Sequence, residues 1–229
     1  MHEADPSASG DPEVLVKICG LTSEPTLDAA LEAGADRVGF VFFERSPRHV
    51  SPARAAELAS RVNGRSTIVA LCVDADDARL AEIVTRVRPG MLQLHGSESP
   101  ERTAAVKRRF GLPVVKALGV SAPGDLAAVA AYADAADEIL FDAKPPKGSV
   151  HPGGNGLSFD WSILAALDLP VRFMLSGGLD PANVGDAIAI TGADAVDVSS
   201  GVESAPGIKD PDKIRAFVHA ARRAAVQTV

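Results

Sequence analysis

Cysteine is scarce in this 229-residue chain, with only Cys19 and Cys72, too few for a disulfide framework. Long apolar runs are missing as well. No stretch reaches the roughly 18 to 20 apolar residues that a membrane span needs, so no membrane partner is expected. The 20 glycines and 16 prolines are scattered, which excludes a fibrous chain. Positive charge is in deficit: 23 Lys and Arg face 30 Asp and Glu, a net charge of −7. The densest basic runs are Lys107-Arg108-Arg109 and Arg222-Arg223, which read as solvated helix ends. A nucleic-acid partner would want basic residues gathered on one face, so none is expected. Residues Met1 to Pro12 lack the basic start and apolar centre of an export signal and read as a disordered tail. The cytoplasm is therefore the expected location, with both thiols free.

What is present is a composition that is 46% hydrophobic, too apolar for a disordered chain. The apolar residues gather in short runs: Val14 to Ile18, Val38 to Phe43, Thr67 to Val73, Met91 to Leu94, Val114 to Leu118, Glu138 to Phe141, Val171 to Leu175 and Ala195 to Val198. Most are continuous, which suits strands covered on both faces, as in a parallel sheet. Their starts lie about one βα unit apart. Between them stand helix signals. Ser51-Pro52 opens a helix that ends at Asn63-Gly64, and Ser99-Pro100-Glu101 opens one that ends at Gly111. Glu24-Pro25 begins another, closed by Gly34; Asp180-Pro181 begins one closed by Gly192; Asp210-Pro211 begins the last, to about Ala225.

Eight strands alternating with eight helical segments leave a closed barrel or an open doubly wound sheet. The count of eight favours the barrel, and the first run ends in Cys19-Gly20-Leu21-Thr22 without the G-x-G-x-x-G turn of a dinucleotide fold. The expected architecture is α/β: a single (β/α)8 barrel with short loops over residues 13–229, after a tail over residues 1–12.

Barrel chemistry collects at the C-terminal strand ends. Those positions hold Lys17 and Cys19, Arg48 in the second loop, Cys72 and Asp74, Gln93 and His95, Lys116, Asp142 and Lys144, Ser176-Gly177-Gly178, and Asp197 with Ser199-Ser200-Gly201. The glycines and serines after strands 7 and 8 would let bare backbone approach a phosphate, or they simply make turns. Cys72, inside Ala70-Leu71-Cys72-Val73, fits packing. Cys19 precedes a glycine at a strand end, where a thiolate could be a base or nucleophile, or the residue could be inert core. Burial favours the protonated form of a carboxyl, so Asp142 could serve as an acid, or only anchor its loop. Arg48 could clamp a carboxylate or lie exposed. Asp197 could belong to a structural network, and His95 to the barrel interior. No His, Cys, Asp and Glu group has metal-ligand spacing, so no metal is expected.

Several blocks together resemble one family. Lys17-Ile18-Cys19-Gly20-Leu21-Thr22, Gly39-Phe40-Val41-Phe42 with Ser46-Pro47-Arg48, and Leu92-Gln93-Leu94-His95-Gly96 look like phosphoribosylanthranilate isomerase. So do Gly153-Gly154-Asn155-Gly156, Leu175-Ser176-Gly177-Gly178-Leu179 and Asp197-Val198-Ser199-Ser200-Gly201-Val202-Glu203, in the family's order. The resemblance implies a cofactor-free isomerase of tryptophan biosynthesis that acts on a small sugar phosphate by an Amadori rearrangement. It implies Cys19 as general base and Asp142 as general acid. It places Arg48 on the anthranilate carboxylate, Asp197 near the anthranilate nitrogen, and His95 among the substrate contacts. Gly154, Gly156, Gly177, Gly178, Ser199, Ser200 and Gly201 are the candidate phosphate contacts, and a monomer is expected. The chain departs from the family pattern in the long polar stretch Ala143 to Pro152 and in Asn155, where Ser or Thr is expected. Two other readings stay open: another sugar-phosphate barrel (an epimerase, or an isomerase that also takes the histidine-pathway substrate), and a non-catalytic metabolite-binding barrel.

Overall fold

A computed structural model describes residues 14–144, 153–154, 156–165 and 172–227. The apolar runs are strands β1 (Leu15–Cys19), β2 (Arg37–Phe42), β3 (Thr67–Cys72), β4 (Met91–Leu94), β5 (Val114–Val120), β6 (Glu138–Ala143), β7 (Arg172–Leu175) and β8 (Ala195–Val198). Each pairs in parallel with the next, and β8 pairs with β1. The result is the closed barrel that the run count implied. The tail Met1 to Pro12, the stretch 145–152, Asn155 and the start of the seventh run at Val171 lie outside the described residues.

Helices α1 (Glu24–Glu32), α2 (Pro52–Val62), α3 (Asp77–Val87), α4 (Pro100–Phe110), α5 (Val129–Tyr132), α6 (Val184–Thr191) and α7 (Pro211–Gln227) cover the barrel. The caps follow the sequence signals. Ser51 accepts from the Arg54 N–H and Ser99 from the Arg102 N–H, each contributing about 1 kcal/mol. Asn63 and Gly111 end their helices in the left-handed region. Two elements depart from an even eightfold pattern. Among the described residues the β6–β7 connection holds only a 3-10 turn, Trp161–Ile163, so that unit has no regular α-helix there. After β8 the chain adds an unexpected antiparallel hairpin, β9 (Glu203–Ala205) and β10 (Ile208–Lys209). Asp180-Pro181 makes a turn that precedes α6, because the Asp180 carboxylate accepts from the Ala182 and Asn183 N–H groups.

Strand side chains alternate between the helix layer and the barrel interior. Val16, Ile18, Val38, Phe40, Phe141, Val196 and Val198 pack outward against the helices. Val69, Met91, Val115, Leu140, Met174 and Ala195 fill the interior. Nearer the mouth, Cys19, Val41 and Leu71 form a third apolar group. The same alternation puts Lys17, Asp142 and Asp197 inward. Lower in the barrel, Arg37 reaches from β2 to Glu138 on β6 at 2.7 Å.

Lys116 does not reach the mouth. Its ammonium donates to the Leu94 and Gly96 carbonyls and to Glu98 at 2.8 Å, and both partners are buried. The Glu98 carboxylate accepts in turn from the Asp74 and Gly96 N–H groups, bracing the loops after β3 and β4. Lys116→Met strands that carboxylate and should destabilise the fold by about 3 kcal/mol. The loss appears as a lower denaturant midpoint, and adding Glu98→Gln should recover part of it.

Candidate active site

The C-terminal ends of the strands surround an open cavity with about 750 Å3 of empty space. Cys19, Arg48, His95, Asp142, Asp197, Gly154, Gly156, Gly177, Gly178, Ser199 and Ser200 all line it. Of the residues singled out from sequence, Gly201 is not on the cavity wall. It packs beneath, where a Cβ would overlap the Leu179 carbonyl oxygen.

Cys19 ends β1, and its sulfur is almost wholly buried at the cavity wall. Burial pushes its thiol above the ordinary value, and Asp197 adds to that, while Lys17 and Lys209 act in the opposite sense. The thiol is therefore protonated at rest near neutral pH. Cys72 differs: it lies in the outer apolar core, and burial pushes its thiol up to about 12.

Asp142 stands three strands away around the barrel, on β6. One carboxylate oxygen accepts from the Ala143 N–H at 2.9 Å, and the other lies 3.3 Å from His95 Nε2. Buried Gln93 orients that imidazole through an Nε2 to Nδ1 contact of 3.1 Å. An amide nitrogen only donates, so in this orientation Nδ1 accepts and the His95 proton sits on Nε2, facing Asp142. Gly177 takes a positive φ of 86° and closes on this corner, where a Cβ would come 2.5 Å from the Ala143 nitrogen.

Arg48 is buried rather than exposed, because the loop after β2 folds back: the Val50 N–H donates to the Val41 carbonyl. Its Nε and Nη2 donate to Glu203 at 2.7 and 2.9 Å, and Nη2 also reaches the Gly154 carbonyl. An internal carboxylate thus already holds one edge of the guanidinium. Lys209 donates to the same Glu203 at 2.7 Å and to the Ser199 carbonyl and hydroxyl. Burial works against the Glu203 charge, but Arg48 and Lys209 outweigh it and hold the carboxyl below its usual range. The Ser199 hydroxyl donates to the Cys19 carbonyl, tying β8 to β1. Asp197 receives the Lys17 ammonium at 2.8 Å and the Ser176 hydroxyl at 3.4 Å.

Sequence reasoning placed Lys17 and Gln93 near the mouth without a role, met Glu203 only as the end of a family-like block, and passed over Lys209. Inward alternation along β1 and β4 was the available signal for the first two. Nothing local marks Lys209, whose partners lie on other segments. Lys144 is exposed and pairs with Asp125 away from the cavity wall.

Fold and mouth together define a (β/α)8 barrel with thiol, carboxyl and imidazole groups around one cavity at the C-terminal strand ends. Residues 16–220 match the family model described as N-(5'phosphoribosyl)anthranilate (PRA) isomerase. The chain is 61% identical over 207 residues to the N-(5'-phosphoribosyl)anthranilate isomerase of Rhodopseudomonas palustris (strain BisA53), covering 90% of this chain and 95% of that one. It is 60% identical over 209 residues to the enzyme of the same name from Paramagnetospirillum magneticum (91% and 97% covered). The crystal structure of the Thermotoga maritima enzyme superposes with a TM-score of 0.83 at 36% identity, covering 92% of this chain and 99% of that one. A phosphoribosyl anthranilate isomerase structure in complex with reduced 1-(o-carboxyphenylamino)-1-deoxyribulose 5-phosphate superposes at 0.80, with 34% identity and the same coverage. The chain belongs to the phosphoribosylanthranilate isomerase family and is an isomerase of tryptophan biosynthesis. Among the described residues, no helix is long and apolar enough to cross a membrane.

The two thiols should separate cleanly toward a small alkylating reagent. Cys19, on the cavity wall, reacts in the native protein and faster as pH rises; Cys72 reacts only after denaturation. Mass spectrometry of the two peptides reads the difference.

Proposed function

We propose that Cys19 is the general base and Asp142 the general acid by which this isomerase converts N-(5-phosphoribosyl)anthranilate to 1-(2-carboxyphenylamino)-1-deoxyribulose 5-phosphate. The observation that carries the reading is that both side chains line one cavity, from strands three apart around the barrel. Protonated Asp142 gives its proton to the ribose ring oxygen, the C1–O bond breaks, and the anthranilate nitrogen supplies electrons to form a cationic Schiff base. The cation acidifies the C2 proton, which the Cys19 thiolate accepts, and the electron pair moves into C1–C2 to give an enolamine. Protonation at C1 and loss of the O2 proton then yield the ketone. Proton exchange with solvent returns both side chains to their starting states.

His95 facing Asp142 supports the carboxylate left after proton transfer. The free edge of the Arg48 guanidinium is the proposed partner of the anthranilate carboxylate, held in place by Glu203. Asp197 faces the anthranilate nitrogen in this reading. The phosphate would rest on the loops after β6, β7 and β8: Gly154, Gly156, Gly177, Gly178, Ser199 and Ser200 line that end of the cavity. Ser199 would offer backbone rather than hydroxyl, since its hydroxyl is bound to the Cys19 carbonyl.

Cys19→Ala and Asp142→Asn should each lower kcat by about 10² to 10⁴ with circular dichroism unchanged. The assay is loss of substrate fluorescence; either variant turning over near the wild-type rate removes its residue from the mechanism.

Gly201→Ala forces the β8 loop off the Leu179 carbonyl. Losing one charge-assisted phosphate hydrogen bond by that route should raise KM about tenfold or more. Inorganic phosphate, as a competitive inhibitor, should weaken in parallel. An unchanged inhibition constant would separate this loop from the phosphate.

A further inference from the structure

Lys17 is a deeply buried cation at the mouth, only 1% exposed, and the acid–base mechanism leaves it without a task. Its position is set by strand register: Lys17 on β1 is the direct neighbour of Asp197 on β8, and their side chains meet at 2.8 Å. Lys17 lies two residues before Cys19 on the same inward face of β1. Gly39 on β2 acts as a ruler for this pair. A Cβ built there would come 3.0 Å from the Cys19 sulfur and 3.3 Å from the Lys17 ammonium. Sulfur and ammonium therefore crowd one small space, and β2 leaves it free by having no side chain at that point.

The charges facing this space can be counted element by element. β1 contributes Lys17, β2 none, and β8 Asp197. The β9–β10 hairpin contributes Lys209 and Glu203, and the loop after β2 contributes Arg48, joined through Glu203. The cations Lys17, Lys209 and Arg48 exceed the anions Asp197 and Glu203 by one while Cys19 is a thiol. Lys17 and Lys209 favour the ionised sulfur, while burial and Asp197 oppose it.

We infer that Lys17 is a positioning residue for the reaction: its ammonium holds the negative charge that forms on the Cys19 sulfur, while Asp197 fixes the ammonium in place and opposes that same charge. The inference rests on Cys19 as the base, and it makes the Lys17–Asp197 pair a divided one. Lys17 favours the thiolate and Asp197 disfavours it, so the two partners of one salt bridge have opposite effects on their neighbour.

The test uses that opposition. The rate of Cys19 alkylation by iodoacetamide is followed against pH in the whole protein, by mass spectrometry of its peptide, for wild type, Lys17→Met and Asp197→Asn. Lys17→Met should move the Cys19 ionisation upward by about one pH unit or more, and Asp197→Asn should move it downward by a similar amount. A merely structural pair predicts otherwise: either removal loosens the same contact, and both variants shift together or neither shifts. That result overturns the inference. If Lys17→Met fails to fold by circular dichroism, Asp197→Asn decides alone, since a downward shift supports the proposal and an upward or absent shift sinks it. The readout does not depend on Cys19 being catalytic. Full turnover by Cys19→Ala would remove the base and leave opposite ionisation shifts standing, whereas parallel shifts would remove the role of Lys17 and leave the base intact.

Discussion

The pairing of β8 with β1 is the contact on which the mouth depends. It joins segments 180 residues apart and sets Lys17 beside Asp197 in strand register. With the ring closed, the alternation of strand side chains sorts every residue into the helix layer or the interior. Cys19, Asp142 and Asp197 then face one space because each falls on the inward phase of its own strand. A buried ion pair contributes little net stability unless its geometry is good. Here the register supplies the geometry, and the Ser199 hydroxyl on the Cys19 carbonyl fastens the same seam.

A second layer of organisation holds the mouth in shape. The short β9–β10 hairpin has few residues and little core of its own, yet it brings Glu203 and Lys209 together. Glu203 fixes Arg48 through two hydrogen bonds, and Lys209 ties that carboxylate to Ser199. On the other side, Gln93 orients His95, and His95 faces Asp142. Asp142, His95, Arg48 and Asp197 thus each have a neighbour that restrains the rotamer, which is what alignment of reacting groups to within a fraction of an ångström requires. Turns around the rim are tightened by glycine where backbone meets backbone, as at Gly177 against Ala143.

Much of this was legible in the chain. Short apolar runs at βα spacing located every barrel strand, and Ser-Pro signals located α2 and α4 to the residue, because burial on both faces and capping of free N–H groups are local demands. Cys19 and Asp142 stood out by following such runs, Asp197 by interrupting one and Arg48 by its turn-rich loop. The expectation of eight even βα units did not hold in detail. Between β6 and β7 the described residues form only a 3-10 turn, and the hairpin after β8 is too short for a hydrophobic pattern to announce it. Lys116, placed on the rim by counting, faces outward to Glu98, since it falls on the other phase of β5.

By itself, the sequence determined what period and position can carry: the closed (β/α)8 count, the helix ends, the family of motifs and the residues at the strand tips. Only the tertiary structure decided the pairings. Arg48 became a buried, oriented cation instead of a surface one because Glu203, 155 residues away, meets it. Lys17 became a neighbour of the Cys19 sulfur because β8 closes on β1 and Gly39 leaves room. Hydrogen bonds and ion pairs of that kind depend on which distant segments become adjacent, and that adjacency is a property of the closed barrel, not of any stretch of the chain.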